Sequence, residues 1–152
     1  MPAIANIVAF DGAATPTSHT FFPEDVSRDA KSQETIASWK EALSGVPDLA
    51  QGRIRLTRKV TKQGVNVVKL RVQLPIQEAI SGQNSAGYTA AQKVAHIPTI
   101  EITGYFHPRS TMAERKMIRY LAAHIMQGNS ATEATSQTGP NADANDVLVM
   151  PT

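Results

Sequence analysis

The sequence predicts an α+β fold: an N-terminal β-hairpin and an antiparallel sheet of about five strands, followed by a C-terminal helix. Three observations predict it. Apolar and polar residues alternate in several short runs, which sends successive side chains to opposite faces of a strand. Turn residues separate those runs as antiparallel neighbours require. One later stretch carries apolar residues at helical spacing behind a capping signature.

Ile4 to Phe10 reads as a strand ended by the hairpin signal Asp11-Gly12. Thr15 to Phe22 is β-prone and returns antiparallel, closed by Pro23, so residues 1–23 make the N-terminal hairpin. Residues 24–34 are polar and read as loop. Thr35 to Lys40, which includes the single Trp at position 39, is a strand by alternation and a helical turn by local propensity; we read it as strand. Ser44-Gly45-Val46-Pro47-Asp48 is a turn cluster. Two alternating runs follow, Arg53-Ile54-Arg55-Leu56-Thr57 and Val68-Lys69-Leu70-Arg71-Val72-Gln73-Leu74, with Gly64 where a hairpin turn is needed and Pro75 as the end.

Residues 35–75 and 97–107 thus supply the sheet, interrupted by a long loop at 76–96 that is rich in Gly, Ser, Gln, Asn and Ala, with a short strand near Tyr88 to Val94. A loop of that length inside a compact domain is usually functional or interfacial. Ile97 to Phe106 alternates again, with Ile100, Ile102 and Phe106 on one face and Thr99, Glu101, Thr103 and Tyr105 on the other. After Pro108, Thr111 and Glu114 fit the N-cap and third positions of a capping box for a helix over 110–127, and Gly128 is its stop. Its apolar stripe is Met117, Ile118, Leu121, Ala122, Ile125 and Met126, read as packing. Residues 128–152 form a C-terminal extension: a polar, low-complexity stretch over 129–146, then Val147 to Met150 as a short apolar close free to pair with a neighbouring subunit.

A chain of 152 residues with 41% apolar content is one domain with one modest core. The absence of Cys excludes disulfides and Cys-ligated metals. The first residues lack a basic segment followed by an apolar run, and no window approaches a membrane-spanning length, so a soluble protein made in a cytoplasm is expected. His19, His96, His107 and His124 are scattered without metal-ligand spacing. There is no Gly-rich phosphate loop, and Ser110 belongs to the helix start. No catalytic residue, metal or cofactor is expected.

The charge distribution is more informative. Net charge is only +2, yet Arg53, Arg55, Arg58, Lys59, Lys62, Lys69 and Arg71 fall in one interval, and no acid occurs from Leu49 to Gln77. Alternation gives this hairpin one basic and one apolar face, with Thr57, Thr61, Asn66 and Gln73 interleaved. Lys and Arg supply sequence-independent attraction to phosphates, and the amides and hydroxyls add hydrogen bonds. The competing reading is solvated charge that discourages edge pairing. Arg58 is out of phase and points toward the apolar side; a strand end, a bulge or another register each accounts for that.

Five strands of about eight residues make a sheet face of roughly 24 by 26 Å. One helix of about 17 residues is roughly 26 Å long and 10 Å across, so it covers less than half of that face. An apolar remainder of this size seldom stays exposed on a monomer, and a helix from a second copy is the economical cover. An obligate homodimer is expected.

The segment Ile102-Thr103-Gly104-Tyr105-Phe106-His107-Pro108-Arg109-Ser110-Thr111-Met112-Ala113-Glu114-Arg115-Lys116 resembles the strand-to-helix junction of coat proteins from single-stranded RNA bacteriophages, the leviviruses. The order of elements agrees along most of the chain. The resemblance implies a dimer with a continuous sheet covered by exchanged helices, in which Met117, Ile118, Leu121, Ala122 and Ile125 pack. It implies a virion protein, assembled in the bacterial host cytoplasm into an icosahedral shell, with itself and single-stranded genomic RNA as partners and an operator hairpin as a further one.

Carried over by strand alignment, the inward, RNA-facing residues are Arg53, Arg55, Thr57, Lys59, Thr61, Lys69, Arg71, Gln73, Thr99, Glu101 and Thr103. Ser81, Gly82, Gln83, Asn84 and Ser85 correspond to the loop through which dimers meet. Two positions depart from the family. Ile97 stands where the best-known relatives place an RNA-stacking Tyr, and 129–146 is unlike the short second helix expected there. The main reading is therefore a structural coat protein and not an enzyme. A small dimeric RNA-binding regulator that never assembles is the alternative, and a small β-rich enzyme the residual one.

Overall fold

The computed structural model describes residues 4–11, 13–78, 93–128 and 139–151. Six strands form one antiparallel sheet: β1 (Ile7–Phe10), β2 (Ser18–Arg28), β3 (Thr35–Glu41), β4 (Arg53–Val60), β5 (Asn66–Gln73) and β8 (Thr99–Phe106), in the spatial order β1-β2-β3-β4-β5-β8. Short strands β6 (Ile76–Gln77) and β7 (Val94–His96) pair separately at the base of the long connection. The loop residues Ser81 to Ser85, and most of the strand expected near Tyr88, lie outside the described residues.

The N-terminal hairpin is continuous with the sheet, because β2 pairs with β3 along its length. Residues 24–28 are correspondingly strand and not loop: β2 passes through Pro23 with a shift in register between Pro23 and Asp25. A bulge is where a strand tolerates a residue without an N–H donor. Asp11 organises the preceding turn, its Oδ1 accepting from the Thr17 N–H at 2.8 Å. Gly64 closes the β4–β5 turn with φ +80°, a conformation that favours glycine.

One face of this sheet carries the core. Phe21, Ala37, Trp39, Ile54, Leu56, Val68 and Phe106 form a single cluster completed by Ala144 and Met150 from the far end of the sequence. Trp39 is 1% exposed, and its indole N–H donates to the Ala5 carbonyl at 2.8 Å. Beside this cluster the buried Glu41 carboxylate meets His19 Nδ1 at 2.7 Å. Gly52 makes room for that carboxylate, since a Cβ there would stand 2.8 Å from Glu41 Oε2.

Helix α1 (Met112–Gln127) begins with the expected capping box: Thr111 Oγ1 accepts from the Glu114 N–H at 3.3 Å, and the Thr111 N–H donates to Glu114 Oε2 at 2.7 Å. Gly128 ends it in the left-handed conformation, φ +66°. The C-terminal extension departs from the sequence reading. Pro140–Ala142 and Asp143–Val147 form consecutive helical turns, the place of the short second helix that the polar composition had concealed. Pro140 occupies a first-turn position that needs no N–H donor, and Ala142 and Ala144 are small enough to bury.

Val147 to Met150 also differs from expectation. Leu148 and Met150 pack into the chain's own core, so this segment is not free to pair with a neighbour. The C-terminal turns hold α1 in place. Arg119 makes a two-pronged ion pair with the buried Asp146 carboxylate, at 2.8 and 2.7 Å, and Arg115 Nε donates to the Asp146 carbonyl at 3.0 Å. The Asp146 carboxylate raises the Arg119 pKa by hydrogen bonding, with desolvation opposing it.

No residue of α1 itself is buried, and Met117, Ile118, Leu121, Ala122 and Ile125 are all exposed on the single chain. Between α1 and the strands β5 and β8 lies an apolar cleft of about 440 Å³, lined by Leu70, Ile102, Ile118, Ala122 and Met126 among others.

Candidate nucleic-acid interface

The basic surface is built by strand register. Across β4 and β5, Arg53 stands opposite Gln73, Arg55 opposite Arg71, Thr57 opposite Lys69 and Lys59 opposite Val67. Across β5 and β8, Gln73 stands opposite Thr99, Arg71 opposite Glu101, Lys69 opposite Thr103 and Val67 opposite Tyr105. Directly opposed residues point to the same face. Ten of the eleven residues expected to face inward therefore share the surface opposite Trp39 and the core. The eleventh, Thr61, lies just past β4 and lines the same trough, although its hydroxyl and amide are engaged in the turn with Val65.

Lys40 and Ser38, which the sequence reading did not include, join this face opposite Arg53 and Arg55. Pairing of β3 with β4 is the missing information, because a strand's charged face extends to whatever its neighbour aligns with it. The central trough measures about 400 Å³ and is lined by Arg55, Thr57, Lys59, Lys69, Arg71 and Tyr105 together with Glu34 and Glu101.

Glu101 was expected on this face, whereas Glu34 was not. The interval from Leu49 to Gln77 lacks acids, but the assembled face does not. Lys59 Nζ lies 3.0 Å from Glu34, Lys69 Nζ 3.2 Å from Glu101, and Arg71 Nε 4.0 Å from the same carboxylate. At the rim, Asp48 takes Lys40 at 2.6 Å and Arg53 at 3.0 Å. The Lys40–Asp48 hydrogen bond raises the lysine pKa and lowers that of the aspartate. Acids contributed by neighbouring strands thus partly neutralise the cations.

Arg55 makes no ion pair with any described residue, and it faces Arg71 directly. Like charges placed directly opposite each other across a ladder are destabilising, and an anion between them removes the penalty. The Arg55–Arg71 pair thus sets two like charges side by side, with Glu101 at 4.0 Å from Arg71 as the nearby counter-charge.

Arg58 is in register with both neighbours, opposite Thr35 and Val68, so neither a bulge nor a slipped register explains its phase. It points to the apolar side. Its guanidinium donates to Asn66 Oδ1 at 2.8 Å, its Nε is buried without a hydrogen-bond partner among the described residues, and desolvation lowers its pKa. Asn66, grouped with the phosphate-binding side chains on composition, belongs with Arg58 on that side and not on the basic face.

Among the described residues, no three His, Asp or Glu side chains come together as a metal site, and no helix is long and apolar enough to cross a membrane.

The chain's backbone is similar to those of several bacteriophage particles. It matches the virus-like particle of bacteriophage ESE058 with a TM-score of 0.71 at 24% identity, over 98% of this chain and 99% of that one. The virus-like particle of bacteriophage EMS014 matches with a TM-score of 0.72 at 23% identity, over 99% and 100%. That of Beihai levi-like virus 21 gives 0.65 at 21%, over 85% and 89%. No curated protein sequence matches the chain. The levivirus coat protein family matches residues 2–140. A six-stranded sheet with one basic face, an apolar opposite face only half covered, and a capped helix standing off its own sheet fit that match, and this chain belongs to the levivirus coat protein family.

Proposed function

We propose that two copies pair through β8, that the dimers assemble into an icosahedral shell, and that the basic face lines its interior and holds single-stranded RNA. The observation that carries the RNA assignment is the register of β4, β5 and β8, which gathers Arg53, Arg55, Lys59, Lys69 and Arg71 on one surface. Pairing through β8 is supported by its position at the end of the strand order, with one edge that has no partner strand among the described residues. Next to that edge lie the apolar cleft and the exposed helix stripe, which a second copy's helix would cover. Unprotected edges and large apolar patches are features that stable proteins cover. Assembly is supported by family membership and by the likeness to particle-forming phage proteins.

Electron microscopy of the purified protein tests assembly: uniform shells are expected, and dimers alone at every concentration would leave only an RNA-binding regulator. Nuclease-protected RNA should co-purify with the shells. Lys69→Glu combined with Arg71→Glu should cut RNA content while dimers persist; unchanged RNA content would remove the basic face from the mechanism. Binding should weaken with salt at about −0.7 in log–log slope per neutralised phosphate of a single strand. Reading of one operator hairpin, with translational repression, is the finer form of the same proposal. It requires a stem-loop from the chain's own genome to outcompete unrelated RNA of equal length.

A further inference from the structure

We propose that Tyr105 is a stacking platform for an unpaired base of the RNA held on the basic face. This rests on the RNA reading of that face and assigns a base-binding subsite within it.

Tyr105 is 73% exposed near the C-terminal end of β8. A tyrosine kept for structure buries its ring or bonds its hydroxyl. Here the ring stands in solvent, and the hydroxyl has no hydrogen bond to any described residue. Its surroundings suit a nucleobase. Val67, directly opposite on β5, is 7% exposed, an apolar floor in a face otherwise made of charges, hydroxyls and amides. Lys59 flanks Val67 on the far side, while Lys69 and Thr103 lie two residues along their strands.

Diagonal neighbours in such a ladder are about 7–8 Å apart, within reach of long side chains. A base laid on the ring therefore leaves its backbone beside Lys69 and Lys59. An aromatic face with cations at its margin is the usual means of holding single strands, because every base has a π-face and needs no particular hydrogen bond. Among the described residues, Phe10 and Phe22 do not line this trough and Tyr105 is the aromatic that does. Ile97, in the link between β7 and β8, offers no ring.

The test compares wild type, Tyr105→Ala, Tyr105→Phe and Arg55→Glu as dimers at one salt concentration. The probes are a single-stranded oligoadenylate of about 12 nucleotides and a fully paired RNA duplex of the same length. Tyr105→Ala should weaken oligoadenylate binding about tenfold without changing the salt slope, and leave duplex binding unaltered. Tyr105→Phe should bind both probes as wild type does, since stacking needs the ring and not the hydroxyl.

Tyr105→Ala binding the oligoadenylate like wild type, while Arg55→Glu still weakens it, would overturn the stacking role and leave the RNA face standing. If Arg55→Glu also had no effect, the RNA reading itself would fall. Equal loss on both probes would make Tyr105 a general backbone contact and overturn the proposal. Loss of the dimer in Tyr105→Ala, seen by sedimentation, would place the ring in a protein interface and overturn it too.

Discussion

The two halves of the apolar face obey the same alternation and meet opposite fates. Over β2, β3 and β4 the apolar side chains are sealed: Trp39, Leu56 and Phe21 lie beneath Ala144, Leu148 and Met150 of the same chain. Toward β8 they are open. Ile100 is 58% exposed, Ile102 is 39% exposed, and the helix stripe that faces their cleft is uncovered as well. Period-two patterning determines which face of a strand is apolar, but the cover is supplied by whichever element the chain, or another copy of it, brings there. The sealed half makes the fold, and the open half supports the proposed dimer.

The largest expected effect would break the comparison on its open side. Ile102→Glu sets a carboxylate in the cleft between β8 and α1, where the single chain tolerates it because the position is partly solvated. In a dimer it would be buried unpaired, so dissociation should become 100-fold or more easier, an order of magnitude expected of a desolvated charge. Sedimentation at micromolar concentration should find folded monomers; an intact dimer would mean that the open half is not the contact.

On the sealed side, Asp146→Ala removes the two-pronged carboxylate partner of Arg119, whose side chain is 14% exposed. Breaking one member of such a buried pair costs about 3–5 kcal/mol, so denaturant unfolding should shift accordingly and α1 should lose its anchorage. A change below about 1 kcal/mol would show that α1 is held by contacts other than the C-terminal turns.

The smallest effects sharpen the description of α1 itself. Thr111→Ala should cost about 1 kcal/mol, read as a lower melting temperature with the assembly state unchanged. The partner residue adds a pH signature. Backbone and side-chain hydrogen bonds from Thr111 hold the Glu114 carboxyl below its ordinary value, with desolvation opposing. A depressed folded pKa gives stabilisation that is complete above the unfolded value near 4.5 and is lost as pH falls through the folded one. Acid titration of Glu114→Gln should lack this contribution, and an unchanged acid profile would take the carboxylate out of the cap.

Much of this architecture could be read in the residues because the signals are local. Alternation along Arg53 to Val60 and along Thr99 to Phe106 assigns faces, and Thr111 with Glu114 starts α1. What stayed hidden depends on partners distant in sequence. Glu34 and Asp48 reach the basic face from turns and join Glu101, which alternation had already placed there, so a run without acids became a surface with several.

The helical turns at 140–147 were masked by polar composition, because their stabilising groups are Arg115 and Arg119, more than twenty residues upstream. Arg58 illustrates the converse. Its phase was legible as anomalous, and only the pairing partners on both sides show that it points to the apolar face. The inward set was similarly incomplete without Lys40, whose alignment with Arg53 no local pattern announces.

The anchorage of α1 by Asp146 also imposes an order in time. No residue of the helix is fully buried, and its direction is fixed through Arg115 and Arg119 by residues some thirty positions later in the chain. Until Asp146 has emerged, α1 can be helical but not aimed. Both anchoring contacts of α1 therefore belong to the last stretch of the chain, which also supplies Ala144 and Met150 to the core.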